Sequence, residues 1–289
     1  MEKLEFFVKE NNKLFDVTIS ERPTLNFSML KTILRKKDIK VNDAKVTQNI
    51  EVKKGDKITI YLPQKKQKQV DIIFEDENII IANKPQGLEV TKKDKTFLDS
   101  DCLEEILNAT ACHRLDKNTE GLIVFAKNTD AEKILFDAFK NHKIQKSYYA
   151  IVYGNVNKNG EILENYLKKE ENYAKICKKT DKNAKFSKLE YQVINQNNNL
   201  FLLDIKLFTG RFHQIRAQLA NKGIFVLGDN KYGKKEINKK YQLSKQQLCA
   251  YKLTFSKLQN LLQYLSNKSF EIKPSFDFEN IIEKDKQRI

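Results

Sequence analysis

The sequence contains no unbroken apolar run long enough to cross a bilayer. Its first residues, Met1-Glu2-Lys3-Leu4-Glu5-Phe6, have neither the basic region nor the long apolar segment of a signal peptide. These absences lead to the expectation of a cytoplasmic protein with no membrane partner. Cysteine is sparse: Cys102, Cys112, Cys177 and Cys249 are widely spaced and form no Cys-x-x-Cys pair. That argues against a disulfide framework in a cytosolic chain of this length. The three histidines, His113, His142 and His213, lack zinc-ligand spacing, so no metal is expected. A P-loop and a G-x-G-x-x-G turn are both missing, so no nucleotide or redox cofactor is expected either. No repeat of solenoid length is present.

Positive charge is abundant. The 289 residues carry a formal net charge of +15, and 40% of them are hydrophobic, enough for a sizeable core. A basic balance favours polyanionic partners, because each neutralised phosphate releases counterions, although charge also serves solubility. The charge is densest at the start. Residues 1–69 hold 16 Lys and Arg against 9 Asp and Glu, whereas the remaining 220 hold 37 against 29.

Residues 1–64 read as a small α/β unit. Leu25, Met29, Leu30, Ile33 and Leu34 recur at helical spacing, with Lys31, Arg35, Lys36 and Lys37 mostly between them. Two short strands follow within Ile39–Val46 around an Asn-Asp turn. Lys54-Gly55-Asp56 then turns into the alternating run Lys57–Leu62. The polar stretch around 65–69 reads as a linker. Residues 70–289 read as one α+β domain. Val70–Phe74 and Ile79–Ala82 flank a Glu75–Asn78 turn. Thr129 with Glu132 reads as a capping box ahead of the helix face Ile134, Leu135, Ala138 and Phe139. A strand is expected over 146–154 and a second hairpin over Leu189–Ile194 and Leu200–Phe208. A helix carrying Ile215 and Leu219 is expected to end at Asn221-Lys222-Gly223.

The block His113-Arg114-Leu115-Asp116-Lys117-Asn118-Thr119-Glu120-Gly121-Leu122 carries the chemistry. It sets an arginine two residues before an aspartate in a polar loop, and the β-formers Ile123–Ala126 follow. An aspartate in water is a weak nucleophile. Desolvation raises its reactivity but also its pKa, and a nearby arginine offsets the second effect while holding the carboxylate in line. Arg211 and Arg216, in Thr209–Leu219, are candidates for that cation. An Asp–Arg pair so far apart in sequence also reads as an ordinary ion pair.

Several motifs in one order resemble the RluA-type RNA pseudouridine synthases. "N-K-P-Q-G" (83–87) follows an opening strand and turn. His113–Leu122 resembles H-R-L-D-x-x-T-S-G-L. "K-S-Y-Y-A" (146–150) is similar to K-x-Y-x-A, "T-G-R-F-H-Q-I-R-A-Q-L" (209–219) to T-G-R-x-H-Q-I-R-x-H-L, and "G-D-N-K-Y-G" (228–233) to G-D-x-x-Y-G. Separately, Leu30–Leu62 resembles the alpha-L RNA-binding module first known from a small-subunit ribosomal protein. The resemblance implies a mixed, largely antiparallel central sheet with flanking helices, preceded by a small α/β RNA-binding domain. It implies Asp116 as nucleophile, Arg216 as its ion-pair partner and Tyr148 packed on the target base, handling the C5 proton. It places Arg114 in the space left by the flipped nucleotide. His113, Arg211 and Lys84 complete the expected substrate contacts, Lys84 toward phosphate. The expected enzyme is a monomer acting without cofactor on uridine in RNA, 23S-type large-subunit ribosomal RNA first.

Some residues depart from the family pattern. Glu120 stands where a serine is usual and is expected to add negative charge near the loop. Gln218 replaces a frequent histidine, Cys249-Ala250 stands for H-A, and Val90-Thr91 for the start of V-H-P. Two other readings use the same features: a non-catalytic RNA-binding ribosome-assembly factor, which needs no Asp116, and a carboxylate-based glycosidase or nuclease. A glycosidase usually requires a second carboxylate where the motif supplies arginine.

Overall fold

The computed structural model describes residues 2–62, 69–92 and 102–286. The expected linker therefore lies, apart from Gln69, outside the described residues. The chain divides into two compact units, the first containing residues 2–62 and the second 69–91 and 102–286.

In the first unit, strands Glu2–Phe7, Lys57–Leu62, Ile39–Val41 and Ala44–Lys45 lie side by side in that order. Asn42 and Asp43 both adopt positive φ, as a tight two-residue hairpin turn requires. The helix Phe27–Arg35 starts where the Asn26 side chain accepts the Met29 N–H at 3.0 Å. It buries Met29, Leu30, Ile33 and Leu34 against Ile39, Ile58 and Ile60. Lys31, Arg35, Lys36 and Lys37 stay exposed.

The second unit is built on a mixed sheet. Its main path runs Ala174–Cys177, Glu161–Lys169, Lys185–Asn197, Leu200–Leu207, Ile144–Gly154, Leu248–Phe255, Glu120–Ala126, Ile79–Lys84, Asp71–Glu75. Neighbours are antiparallel except Glu120–Ala126, which runs parallel to Leu248–Phe255. The α+β fold with a largely antiparallel sheet is thus as expected. Glu120–Ala126 is buried along its whole length, which is why its Leu122–Ala126 part reads as an unbroken apolar run rather than an alternation. Leu122, Val124 and Ala126 pack toward the helix Thr129–Lys140 through Ala131, Leu135 and Ala138. Ile123 and Phe125 pack on the other face with Ile80, Ala82 and Leu88. The helix Thr129–Lys140 is capped by Asn128, whose side chain accepts the Ala131 N–H at 2.9 Å. The cap is thus one residue earlier than the Thr129 capping box expected from sequence; asparagine caps at least as well as threonine.

Two backbone irregularities set up the centre of the sheet. Between the pairs Ser147–Lys252 and Tyr149–Cys249 the register slips, so Tyr148 opposes both Ala250 and Tyr251. Such a bulge bends a strand and re-aims a side chain. Gly121 has φ +124°, and a Cβ there would meet the Ala250 carbonyl oxygen at 2.4 Å and its nitrogen at 2.5 Å. The parallel pairing of Gly121 with Ala250 leaves room for a hydrogen and no more.

Gly121→Ala is therefore expected to destabilise the protein by about 2–4 kcal/mol, since backbone rather than a yielding side chain blocks the methyl group. The shift in urea midpoint at constant m-value measures it.

Candidate active site

Asp116 sits in the loop just before the buried strand Glu120–Ala126, and that loop is held by its backbone. The Thr119 N–H donates to the Asp116 carbonyl at 3.0 Å, closing a turn. The Lys117 carbonyl accepts the Gly87 N–H at 2.8 Å and the Lys84 ammonium at 2.9 Å. Lys84 Nζ also donates to the carbonyls of Pro85, at 3.0 Å, and Leu88, at 2.8 Å. The side chain of Lys84 is 0% exposed. This corrects the phosphate contact expected of it, because its donors are turned to main-chain oxygens inside the fold. Asn83–Gly87 acts as a clasp on the loop that carries Asp116.

Arg216 comes from the helix Gln214–Asn221, which buries Ile215 and Leu219 among Tyr148, Ala150, Leu189 and Ile205. The turn before this helix is fixed by Gln214. Its Oε1 accepts from the Thr209 hydroxyl at 2.8 Å and the Arg211 N–H at 3.0 Å, while its Nε2 donates to Gln218 and to the Lys188 carbonyl. His213 caps the helix at φ 51°. Arg216 Nη1 donates to Asp116 Oδ2 at 2.7 Å. The rest of the guanidinium donates twice to Asp229, Nε at 2.7 Å and Nη2 at 2.9 Å. Asp229 is 0% exposed, Arg216 5% and Asp116 17%. Burial opposes charge on Asp229, but Arg216 and the N–H groups of Lys231 and Tyr232 hold its carboxyl below the ordinary value. Arg216 is thus oriented by one carboxylate and presented to another. Asp116 Oδ1 makes no hydrogen bond among the described residues.

A cleft of about 600 Å³ opens over this pair and brings His113, Arg114, Asp116, Tyr148, Arg211 and Arg216 together. Of the residues expected at the site, Lys84 alone is not in its lining. Tyr148 is buried, with a hydroxyl that bonds to no described residue; burial, then the charge of Asp116, raises its phenol above the ordinary value. It is therefore a neutral phenol at neutral pH. Arg114 is exposed and reaches over the Phe212 ring, 5.8 Å from its centroid. Arg211 is exposed and donates from Nε to the Phe186 carbonyl at 2.9 Å. The His113 Nε2 accepts the Val124 N–H at 3.1 Å, which ties the loop to the adjacent strand and leaves the ring proton on Nδ1.

The sequence match to known proteins covers this region. Residues 78–221 match the family model described as RNA pseudouridylate synthase. Ribosomal large subunit pseudouridine synthase C of Rickettsia felis is 35% identical over 83% of this chain and 88% of its own length. The chain belongs to the RNA pseudouridylate synthase family. An uncharacterized RNA pseudouridine synthase of Mycoplasma capricolum is 32% identical over 90% of this chain and 93% of its own length. In fold, the synthase is similar to human RNA pseudouridylate synthase domain containing 4, with a TM-score of 0.59 at 21% identity, covering 74% of this chain and 92% of that one.

Sequence reasoning assigned no role to Asp229 in this synthase, although the motif Gly228–Gly233 contains it. The one signal in the sequence was the Gly228-Asp229 pair inside that motif; the structure shows that a Cβ at Gly228 would collide with the Lys245 carbonyl. His213 and Tyr232 were also missed. Tyr232 lies across the Arg216 guanidinium, 4.9 Å from ring centroid to Cζ, and its hydroxyl is 3.0 Å from His213 Nδ1. Glu120 does not line the cleft. Its carboxylate accepts the Ser275 N–H at 2.8 Å and the Ser275 hydroxyl at 2.5 Å. Glu120 is buried, and its carboxylate is engaged with the C-terminal segment rather than turned into the cleft.

Asp229→Asn removes the charge that orients Arg216. We expect kcat to fall about 10²-fold with a smaller change in KM, because a misplaced positioning group costs that much. A stability loss of about 3 kcal/mol should accompany it, the cation being left under-compensated in the interior. Steady-state kinetics and denaturant unfolding measure the two separately.

A second expectation concerns acid. Burial pushes the His213 imidazole down to about 4, against the pull of Asp116 and with the push of Arg216 and Lys231. Burial, with Lys146 nearby, likewise holds His113 well below its ordinary value. The unfolded chain binds these protons near pH 6.5 and the folded one does not, so stability is lost as pH falls through that window. His213 should contribute about 2 kcal/mol of loss between pH 7 and pH 5. Unfolding at several pH values should show a shallower fall in the His213→Gln variant.

Proposed function

We propose that Asp116 is the nucleophile with which this RNA pseudouridine synthase attacks its target uridine, and that the RNA is that of the large ribosomal subunit. The observation that carries the first part is the geometry at Asp116. One carboxylate oxygen is pinned by Arg216 at 2.7 Å, and the other has no hydrogen-bond partner among the described residues. Such a carboxylate is aligned and unencumbered on its attacking side. Attack at C1′ of the ribose or C6 of the base forms a covalent adduct. The N1–C1′ bond breaks, the base turns, C5 bonds to C1′, and Asp116 is released. C5 gives up a proton and N1 takes one up, so the reaction balances as an isomerisation.

Tyr148, neutral and held at the bulge, packs against the base and relays the C5 proton through its hydroxyl. Arg114, exposed at the rim with its guanidinium over Phe212, occupies the space vacated when the nucleotide leaves the stack. Arg211 and His113 complete the walls of the cleft. Every group named comes from one chain, so a monomer suffices. The ribosomal substrate is supported by the relatives named as large-subunit synthases. The N-terminal unit supports it too. Lys31, Arg35, Lys36, Lys37, Lys45, Lys53 and Lys54 are exposed on residues resembling an RNA-binding module. A tethered second RNA contact raises the effective concentration at the cleft.

Asp116→Asn should abolish pseudouridine formation, by at least about 10³-fold, while RNA affinity stays within about threefold. Pseudouridine mapping of large-subunit ribosomal RNA, from cells lacking the protein and complemented by either form, reads both parts. Sites absent in the knockout and restored by Asp116→Asn would refute the nucleophile, and an unchanged map would refute the substrate.

A further inference from the structure

The cleft holds two cations that the chemistry above does not use, the exposed Lys140 and the half-buried Lys146. Lys146 lies two residues before Tyr148 on the same strand, and its side chain lines the cleft. Its ammonium makes no hydrogen bond or ion pair with any described residue. It stands 5.6 Å from the centroid of the Phe139 ring, and a Cβ at Gly210 would come within 3.0 Å of it. Its charged and titratable neighbours offer no counter-charge. Arg211 is cationic and His113 is neutral, while Lys140 and His142 also line the cleft. Among the residues lining the cleft, Asp116 is the one carboxylate, and it is engaged by Arg216. Burial, with Arg211 close by, pulls the Lys146 ammonium down to about 8.

A partly desolvated cation without an acid partner is costly in an isolated protein. The cost is offset when the missing anion arrives with the ligand. In a cleft that admits RNA, the anion at hand is a backbone phosphate. The position is suited to one. Lys146 and Tyr148 lie on the same face of the strand, two residues apart, so a phosphate on the ammonium adjoins a base packed on the phenol. We propose that Lys146 anchors one phosphate of the RNA strand beside the uridine being modified, fixing the strand in register with Asp116. The proposal rests on RNA entering this cleft as its substrate. It leaves the bond-making steps to Asp116, Tyr148 and Arg216. Gly210 is part of the same device, since a side chain there would displace the ammonium.

The test uses the full-length protein with Lys146→Met, which keeps volume without charge, and Lys146→Arg, which keeps charge. Binding of a short fluorescent oligouridylate is measured across a salt series, alongside turnover on an unmodified transcript of large-subunit ribosomal RNA. Lys146→Met should bind the oligouridylate about tenfold more weakly, with the slope of log K against log salt smaller by about 0.7, the loss of one phosphate contact on a single strand. Lys146→Arg should restore most of both. The thermal midpoint of Lys146→Met should equal or exceed that of the parent, because an uncompensated charge has been removed. On the transcript, KM should rise with a smaller change in kcat. An unchanged salt slope for Lys146→Met overturns the proposal. So does a lowered midpoint with affinity falling equally in the Met and Arg variants, which marks a structural role. If the parent fails to modify the transcript while the slope change persists, the ribosomal substrate is wrong and the phosphate anchor stands.

Discussion

The guanidinium of Arg216 is shared between two carboxylates, and the architecture around it serves that sharing. Asp229 takes two of its N–H donors in the interior, and Asp116 takes a third at the floor of the cleft. A bidentate contact fixes the plane of a guanidinium as a single contact cannot. With that plane set, the position of Asp116 follows from the loop clasped by Lys84. The helix that carries Arg216 is seated by Ile215 and Leu219 and by the Gln214 network at its start. The Tyr232 ring lies against the guanidinium, 4.9 Å from centroid to Cζ, and Arg216 is buried. Each layer is ordinary packing, yet together they hold one charged pair in a fixed orientation.

Elements with strong local periodicity were legible in the sequence. The helix Phe27–Arg35, the hairpins of both units and the end of the helix Gln214–Asn221 needed only spacing and turn residues. The N-cap of Thr129–Lys140 shifted by one residue, because Asn128 and Thr129 can both cap and the choice depends on how the chain enters from the sheet. The order of strands was not legible. The parallel pairing of Glu120–Ala126 with Leu248–Phe255 joins segments over a hundred residues apart, and no local preference encodes it.

The site was legible where its residues lie in a contiguous motif, and less so where tertiary burial decides a role. Lys84 illustrates the limit of composition. A lysine beside a proline reads as a surface cation, yet three carbonyls converge on its ammonium and draw it inside. Asp229 is the converse: a common acidic residue in a turn becomes the anchor of Arg216 because the turn folds back, 13 residues on in sequence, to bury its carboxylate against that guanidinium. Glu120, a departure from the family pattern, is accounted for by Ser275, more than 150 residues away.

The clasp on the loop has a further consequence. Lys84 and Gly87 grip the carbonyl of residue 117, not its side chain, and every amino acid presents the same carbonyl. The exposed side chains of Lys117 and Asn118 can therefore be exchanged without loosening the support beneath Asp116. The loop thus separates two demands that compete in many enzymes. Its inner edge is committed to geometry, while its outer edge is free to diverge toward a new RNA neighbourhood with the reaction unchanged.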